Sequence, residues 1–236
     1  PSSFENGADV KPLLGLDDCI FDISVTANRP DCQSVLGMAR EVAAVLGKKL
    51  KEPDCSYTAK AKGEKVSVKV IAPDICPRYI AHYVKDVRPA TSPLWLRKRL
   101  ALCGLRSINN LVDITNFVLL EMGQPMHAFD CAQLDGREIV VRRAADGEEI
   151  VTLDGKKFKL NGENLVICDG AKPCALAGIM GGENSEITDG TKELLFESAK
   201  FARDSIRKTS RALGQHSDSS ALFEKGVCEY TTERAM

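Results

Sequence analysis

Apolar residues recur at helical spacing in SVLGMAREVAAVLG, placing Val35, Met38, Ala39, Val42, Val45 and Leu46 on one face. Ser34 precedes this run as an N-cap, and Gly47 follows it as a C′ stop. Upstream, CIFDISVTANRPDC reads as a strand running into a turn, and downstream the polar KKLKEPDCSYTAKAKGEK reads as a linker. Alternation resumes near Lys65 with KVSVKVIA, and PRYIAHYVKDV supplies a second strand. TSPLWLRKRLALCG predicts a helix with Ser92 as N-cap, Pro93 at its first position and Gly104 just past its end. LVDITNFVLLEMG predicts another. Strands then dominate: REIVVRRA, EEIVTLDGKKFKL turning at Asp154-Gly155, NLVIC, PCALAGIM and ELLFESA. A basic helix, DSIRKTSRALG, closes on Gly214.

Strands and helices alternate without a strict βαβ rhythm, which predicts an α+β fold of mixed sheets with packed helices, preceded by the end of a smaller N-terminal α+β region. The expected divisions are 1–48 for that region, 49–64 for a linker, 65–228 for the main domain and 229–236 for the start of a following segment.

Composition narrows the class. The 236 residues, 44% hydrophobic and 28% charged, suffice for one large or two small domains. The apolar runs are too short to span a bilayer, and the start lacks a basic-then-apolar signal pattern, so no membrane association is expected. Opening on Pro1 and stopping inside the helix-like TTERAM, the chain reads as an excerpt of a longer polypeptide. Nine cysteines form no C-x-x-C pair and are odd in number, the usage of reduced thiols in a cytoplasmic protein. His127 and Cys131 lack two further ligands and do not make a zinc site, so no metal ligands are assigned. A net charge of −1 argues against a domain that coats nucleic acid and against a DNA partner. A local basic stripe, Arg203, Arg207, Lys208 and Arg211, could still meet phosphates, or could be a solvated helix face.

Candidate chemistry starts at GIMGGENSEITDG, residues 178–190. The loop lacks the lysine and hydroxyl of a P-loop and the context of a dinucleotide fingerprint. A tight turn using Gly181 and Gly182 at positive φ is the plain alternative. By itself Glu197 in LLFESA reads as an exposed strand glutamate, His127 in GQPMHAFD as a packing residue, and Thr115 and Asn116 in DITNFV as helix-capping or turn groups. No Ser-His-Asp order, nucleophile elbow or activated cysteine is visible, which favours attack by a placed water over a covalent intermediate.

DITNFV, GQPMHAFD, the glycine loop ending in FES, HSDSSALFEKGV, SVTANRPDC and SINNLVD occur in an order that resembles the beta subunit of bacterial phenylalanyl-tRNA synthetase. The similarity runs from the end of that subunit's N-terminal region through its editing domain. It implies hydrolysis of tyrosine mis-attached to phenylalanine tRNA, in a pocket separate from the charging site. A hydrophobic site cannot strongly exclude an isostere that adds a hydroxyl, whereas a site that hydrogen-bonds the hydroxyl discriminates well.

By this resemblance, Glu197 accepts the tyrosine hydroxyl, and His127 lines the pocket near the ester and the terminal adenosine. Pro125 shapes the wall, Thr115 and Asn116 offer hydrogen bonds, and Gly181 and Gly182 let the aminoacyl group approach the backbone. Ser217 and Ser219 join the pocket but depart from the family, which usually has threonine and alanine there. The implied partners are phenylalanine tRNA and the alpha subunit, in an assembly of two alpha and two beta chains. ATP and Mg²⁺ serve the parent charging reaction, with no cofactor in this part. A non-catalytic RNA-binding or subunit-docking module is the competing expectation.

Overall fold

The computed structural model describes residues 5–58 and 66–236; residues 1–4 and 59–65, which include Pro1, Lys65 and part of the expected linker, lie outside the described residues. Two helices occupy the N-terminal part, α1 (Val10–Leu14) and α2 (Val35–Val45). There follow β1 (Ser67–Val70), β2 (Arg78–Lys85), α3 (Leu94–Leu102), α4 (Asn110–Met122) and β3 (Met126–Asp130). A strand-rich stretch holds β4 (Glu138–Arg143), β5 (Glu149–Val151), β6 (Lys157–Lys159), β7 (Leu165–Cys168), β8 (Pro173–Leu176), β9 (Met180–Gly181) and β10 (Glu193–Lys200). The chain ends with α5 (Arg203–Leu213), α6 (Asp218–Lys225) and α7 (Glu229–Ala235).

The strands form a five-stranded sheet in the order β1-β4-β7-β8-β9, a three-stranded antiparallel sheet β2-β10-β3, and the hairpin β5-β6. The first is mixed, since β1 joins β4 in parallel while the remaining pairs are antiparallel. The fold is α+β.

Sheet pleating explains how β10 serves two environments. Successive side chains alternate faces: Leu195 and Ala199 join the large core against Val166, Ile167, Cys174 and Ala175, while Leu194 and Phe196 pack with Leu111, Ala128 and Ile187. Glu197 therefore points toward the five-stranded sheet. Helix α7 lies against β10, where the buried Ser198 hydroxyl donates to Thr232 O at 2.9 Å.

Local signals place most helix ends. The Ser34 side chain accepts from Gly37 N at 3.0 Å, and Gly123 and Gly214 close α4 and α5 in the left-handed conformation. Three expectations are corrected. Residues 17–25 form no strand; Ile20, Phe21 and Ile23 are exposed, and no neighbouring strand supplies a ladder among the described residues. The apolar face of α2 is not the buried one: Val35, Val42, Val45 and Leu46 are exposed, while Leu36 and Gly37 are buried. Ser92 does not cap α3. Its hydroxyl donates to Asp113 Oδ2 at 2.5 Å, because a buried carboxylate is a stronger acceptor need than a helix terminus, and Pro93 stands at the cap without a side-chain bond.

Asp113 ties the loop before α4 to the fold. It also accepts from the Ser107 hydroxyl at 2.5 Å and from Ile108 N at 2.8 Å. Three donors satisfy a carboxylate that has no exposure at all, and they hold residues 105–109 at the mouth of the cavity described next.

Candidate functional site

A cavity of about 450 Å³ opens beside the edge strand β3, and both faces of that strand contribute, His127 on one side and Met126 and Ala128 on the other. Helix α4 supplies Thr115, Asn116 and Leu119; the β8–β9 turn supplies Gly178 and Ile179, and β9 supplies Met180; the start of α6 supplies Ser217, Asp218 and Ser219. Pro125, Gly181 and Glu197 complete the set relevant to chemistry. Eight of the nine residues singled out from the sequence thus line one cavity, and Gly182 is not among the lining residues.

Glu197 and His127 are direct cross-strand partners in the β10–β3 register. Glu197 is 5% exposed, which overturns its reading as a surface glutamate, and its Oε2 accepts a hydrogen bond from the Tyr79 hydroxyl at 2.8 Å. The His127 ring meets Phe129 edge-on with centroids 4.5 Å apart, and its Nε2 is buried with no hydrogen-bond partner among the described residues.

The glycines have a different use from the one expected. Neither adopts positive φ; Gly178, at +68°, makes the turn instead. A Cβ on Gly181 would lie 2.6 Å from His127 Cε1 and 2.9 Å from Leu153 Cδ1, so the bare position accommodates the protein's own imidazole. Gly182 N donates to Cys174 O at 2.7 Å, and a Cβ there would lie 2.6 Å from that same oxygen.

The hydroxyls differ in availability. Ser217 is the N-cap of α6, accepting from Ser220 N at 3.1 Å and donating to Ile179 O at 2.6 Å. It thereby ties the helix to the glycine turn. Thr115 donates to Val112 O at 2.7 Å within its own helix. Asn116 and Ser219 make no side-chain hydrogen bond among the described residues and face the cavity uncommitted.

Residues 75–236 match the family model of the B3/4 domain. The chain belongs to the B3/4 domain family. It is also 49% identical over 229 residues to the phenylalanine–tRNA ligase beta subunit of Syntrophus aciditrophicus, covering 96% of this chain and 28% of that protein. The corresponding subunit of Geobacter sulfurreducens is 48% identical over 238 residues, covering 100% and 30%. The chain therefore spans less than a third of the length of these relatives. A crystal structure of an N-terminal fragment of the phenylalanyl-tRNA synthetase beta subunit from Pyrococcus horikoshii aligns over 81% of this chain and 59% of that one, with 18% identity and a TM-score of 0.45.

Electrostatics give two ionisable groups of the B3/4 cavity, Glu197 and His127, opposite tendencies. Burial pushes the Glu197 carboxyl up to about 7, opposed by the Tyr79 hydrogen bond, which favours the ionised form. Burial pulls the His127 imidazole down to about 4. Near pH 7 the histidine is neutral, and the glutamate sits close to its midpoint. No lysine or arginine lines the cavity.

Elsewhere in the B3/4 chain, Asp31, Cys32 and Glu41 bring three ligand-type atoms together. They do not suit a cation. The Arg29 guanidinium already forks onto Asp31 at 2.8 Å and Glu41 at 2.5 Å, occupying the space between the two carboxylates with a fixed positive charge.

Tyr79, Gln124 and Asp113 were not anticipated. The only trace of Tyr79 in the sequence is its alternation with Ala81 and Tyr83 in RYIAHYV. Gln124 is fully buried and donates to Pro125 O at 3.0 Å and Ala199 O at 2.9 Å, pinning the turn that leads into His127 against the strand that carries Glu197.

Proposed function

We propose that this chain is the editing part of a phenylalanyl-tRNA synthetase beta subunit, and that its cavity hydrolyses tyrosine mischarged onto phenylalanine tRNA. One observation carries the reading: a buried carboxylate, Glu197, on the wall of an otherwise largely apolar cavity of amino-acid size. An aromatic ring with a hydroxyl satisfies that acceptor, whereas phenylalanine leaves it unpaired at the cost of a buried polar group. Relatives named for the same subunit support the assignment.

The chemistry needs an oriented ester, a placed water and donors for the developing oxyanion. His127, held neutral by burial, is too weak a base near pH 7 to take the water's proton efficiently, and acts by hydrogen bonding through Nε2 to the ester or the terminal ribose. Glu197 is engaged by the tyrosine hydroxyl. The water's proton then passes through the substrate itself: a ribose hydroxyl of the tRNA accepts it while giving its own proton to the neighbouring ester oxygen, which leaves as a hydroxyl when the C–O bond breaks. Asn116 and Ser219 supply the remaining polar contacts.

In this reading residues 65–228 form the editing domain, 1–48 complete the preceding region and 229–236 begin the next segment. The enclosing cytoplasmic enzyme charges tRNA with phenylalanine, using ATP and Mg²⁺ together with its alpha subunit. A binding role is favoured by a separate observation, the exposure of Arg207, Lys208 and Arg211 on α5 without ion-pair partners among the described residues. Deacylation of tyrosyl-tRNA(Phe) by the full synthetase, with and without Glu197→Ala, decides between them. Editing predicts hydrolysis well above the spontaneous rate, largely lost in the variant. A pure binding module leaves ester decay at its spontaneous rate in both.

A further inference from the structure

We propose that Tyr79 is the positioning residue for selectivity: it holds Glu197 as a hydrogen-bond acceptor facing the cavity, so that an aromatic ligand is retained only if it brings its own hydroxyl donor. This rests on the reading that Glu197 meets the ligand's hydroxyl.

The geometry is set by strand register. Tyr79 pairs with Ala199, and Glu197 pairs with Ala81, so Tyr79 and Glu197 are diagonal neighbours on one face of the β2–β10 ladder. Diagonal neighbours sit about 7–8 Å apart, a gap that a long aromatic side chain can bridge. The phenol does so, reaching Oε2 at 2.8 Å. A carboxylate offers about four lone-pair sites, so one phenol leaves capacity for a second donor.

The surroundings make this bond decisive. Glu197 faces Tyr79 and Cys76 from the β2 side, His127 from β3, and Cys174 beyond Tyr79 from β8, with Glu186 and Asp218 on the cavity rim. None of these is a cation near pH 7, and Tyr79 makes the single side-chain hydrogen bond to Glu197 among the described residues. Burial and the neighbouring carboxylate hold the phenol itself well above its ordinary pKa, so Tyr79 remains a donor throughout the working range. Losing it would leave a buried carboxyl with nothing to favour ionisation. The protonated form keeps only neutral acceptor oxygens beside its own O–H, so a ligand hydroxyl meets a weaker partner and its advantage over a bare ring shrinks.

The test uses the full synthetase carrying Tyr79→Phe, which removes one oxygen from the side chain. The ratio of deacylation rates for tyrosyl- and phenylalanyl-tRNA(Phe), corrected for spontaneous hydrolysis, is followed across pH. A hydrogen bond to a charged group corresponds to a midpoint displaced about 1–2 pH units upward on its removal. The ratio should therefore fall several-fold near pH 7 and recover as pH rises. A profile superimposable on the parent's overturns the proposal. Glu197→Ala, which removes the acceptor altogether, separates this from failure of the underlying reading: if Glu197→Ala also leaves the ratio unchanged, the hydroxyl-acceptor reading itself falls. If Glu197→Ala abolishes the ratio while Tyr79→Phe does not, only the role of Tyr79 falls. The double variant guards against a general packing effect, since Tyr79→Phe should change nothing further in the Glu197→Ala background. An additive loss there would also overturn the proposal.

Discussion

A single methyl group added at Gly181 should cost far more in activity than in stability. The ideal Cβ lies 2.6 Å from His127 Cε1, 3.1 Å from His127 Nε2 and 2.9 Å from Leu153 Cδ1. Gly181 is not at positive φ, so Gly181→Ala carries no backbone strain and its cost is packing alone. Overpacking a core position costs about 1–3 kcal/mol. Leu153 is 42% exposed and can swing outward, whereas the His127 ring is confined by Phe129, which places the cost near the lower end, about 1–2 kcal/mol. For a chain of this size that lowers Tm by roughly 2–8 °C. The imidazole must yield by a large part of an ångström, and displacements near 1 Å in a catalytic constellation cost about 10²-fold. Thermal unfolding and deacylation of tyrosyl-tRNA(Phe) by the synthetase carrying Gly181→Ala measure the two effects separately. Adding Leu153→Ala should recover part of the stability but not the activity, because the contact with His127 persists. Hydrolysis at the parent rate in Gly181→Ala would refute the claim that this glycine exists to seat the imidazole.

Other expectations follow from the same geometry. Glu197, raised from 4.5 to about 7 in the folded protein, contributes up to about 3 kcal/mol below pH 4.5, lost as pH rises through 7. His127, lowered from 6.5 to about 4, contributes a similar amount above pH 6.5, lost as pH falls through 4. The two slopes oppose each other between pH 4.5 and 6.5, so denaturant titrations should show Glu197→Gln unmasking a rise in stability with pH, and His127→Gln a fall. Asp113→Ala strands the buried Ser92 hydroxyl and releases the less buried Ser107 and Ile108 donors, and should destabilise by about 1–3 kcal/mol in urea unfolding. Ser219→Ala should change stability by less than about 0.5 kcal/mol. It should also lower hydrolysis of phenylalanyl-tRNA(Phe) more than of the tyrosyl form, by removing an anchor for water near the acceptor; an unchanged ratio of the two rates would count against that anchor.

How much was legible without the structure depended on the range of the interaction involved. The caps at Ser34, Gly47 and Gly214 and the Asp154-Gly155 turn involve neighbours within a few residues, so residue type alone specifies them. The strands from Glu138 to Lys200 are legible from their apolar runs, although their pairing partners lie far along the chain. The α+β class follows from their order. Motif order also led to one cavity for residues as distant as Thr115 and Ser219, although no local pattern implied it.

What tertiary structure alone decided lies in burial and register. Glu197 is an ordinary strand glutamate until β2 and β3 flank β10, and only that pairing brings it to Tyr79, 118 positions away in the chain. Ser92 has the right type and position to cap α3, yet a buried carboxylate from another helix claims its hydroxyl. Gly181 reads as a flexible turn, but its lack of a Cβ matters because β3 carries an imidazole into the space beside it. Local propensity specifies which elements form; desolvation and cross-strand pairing specify which polar groups are left facing the cavity, because both depend on residues that meet only once the sheets have assembled.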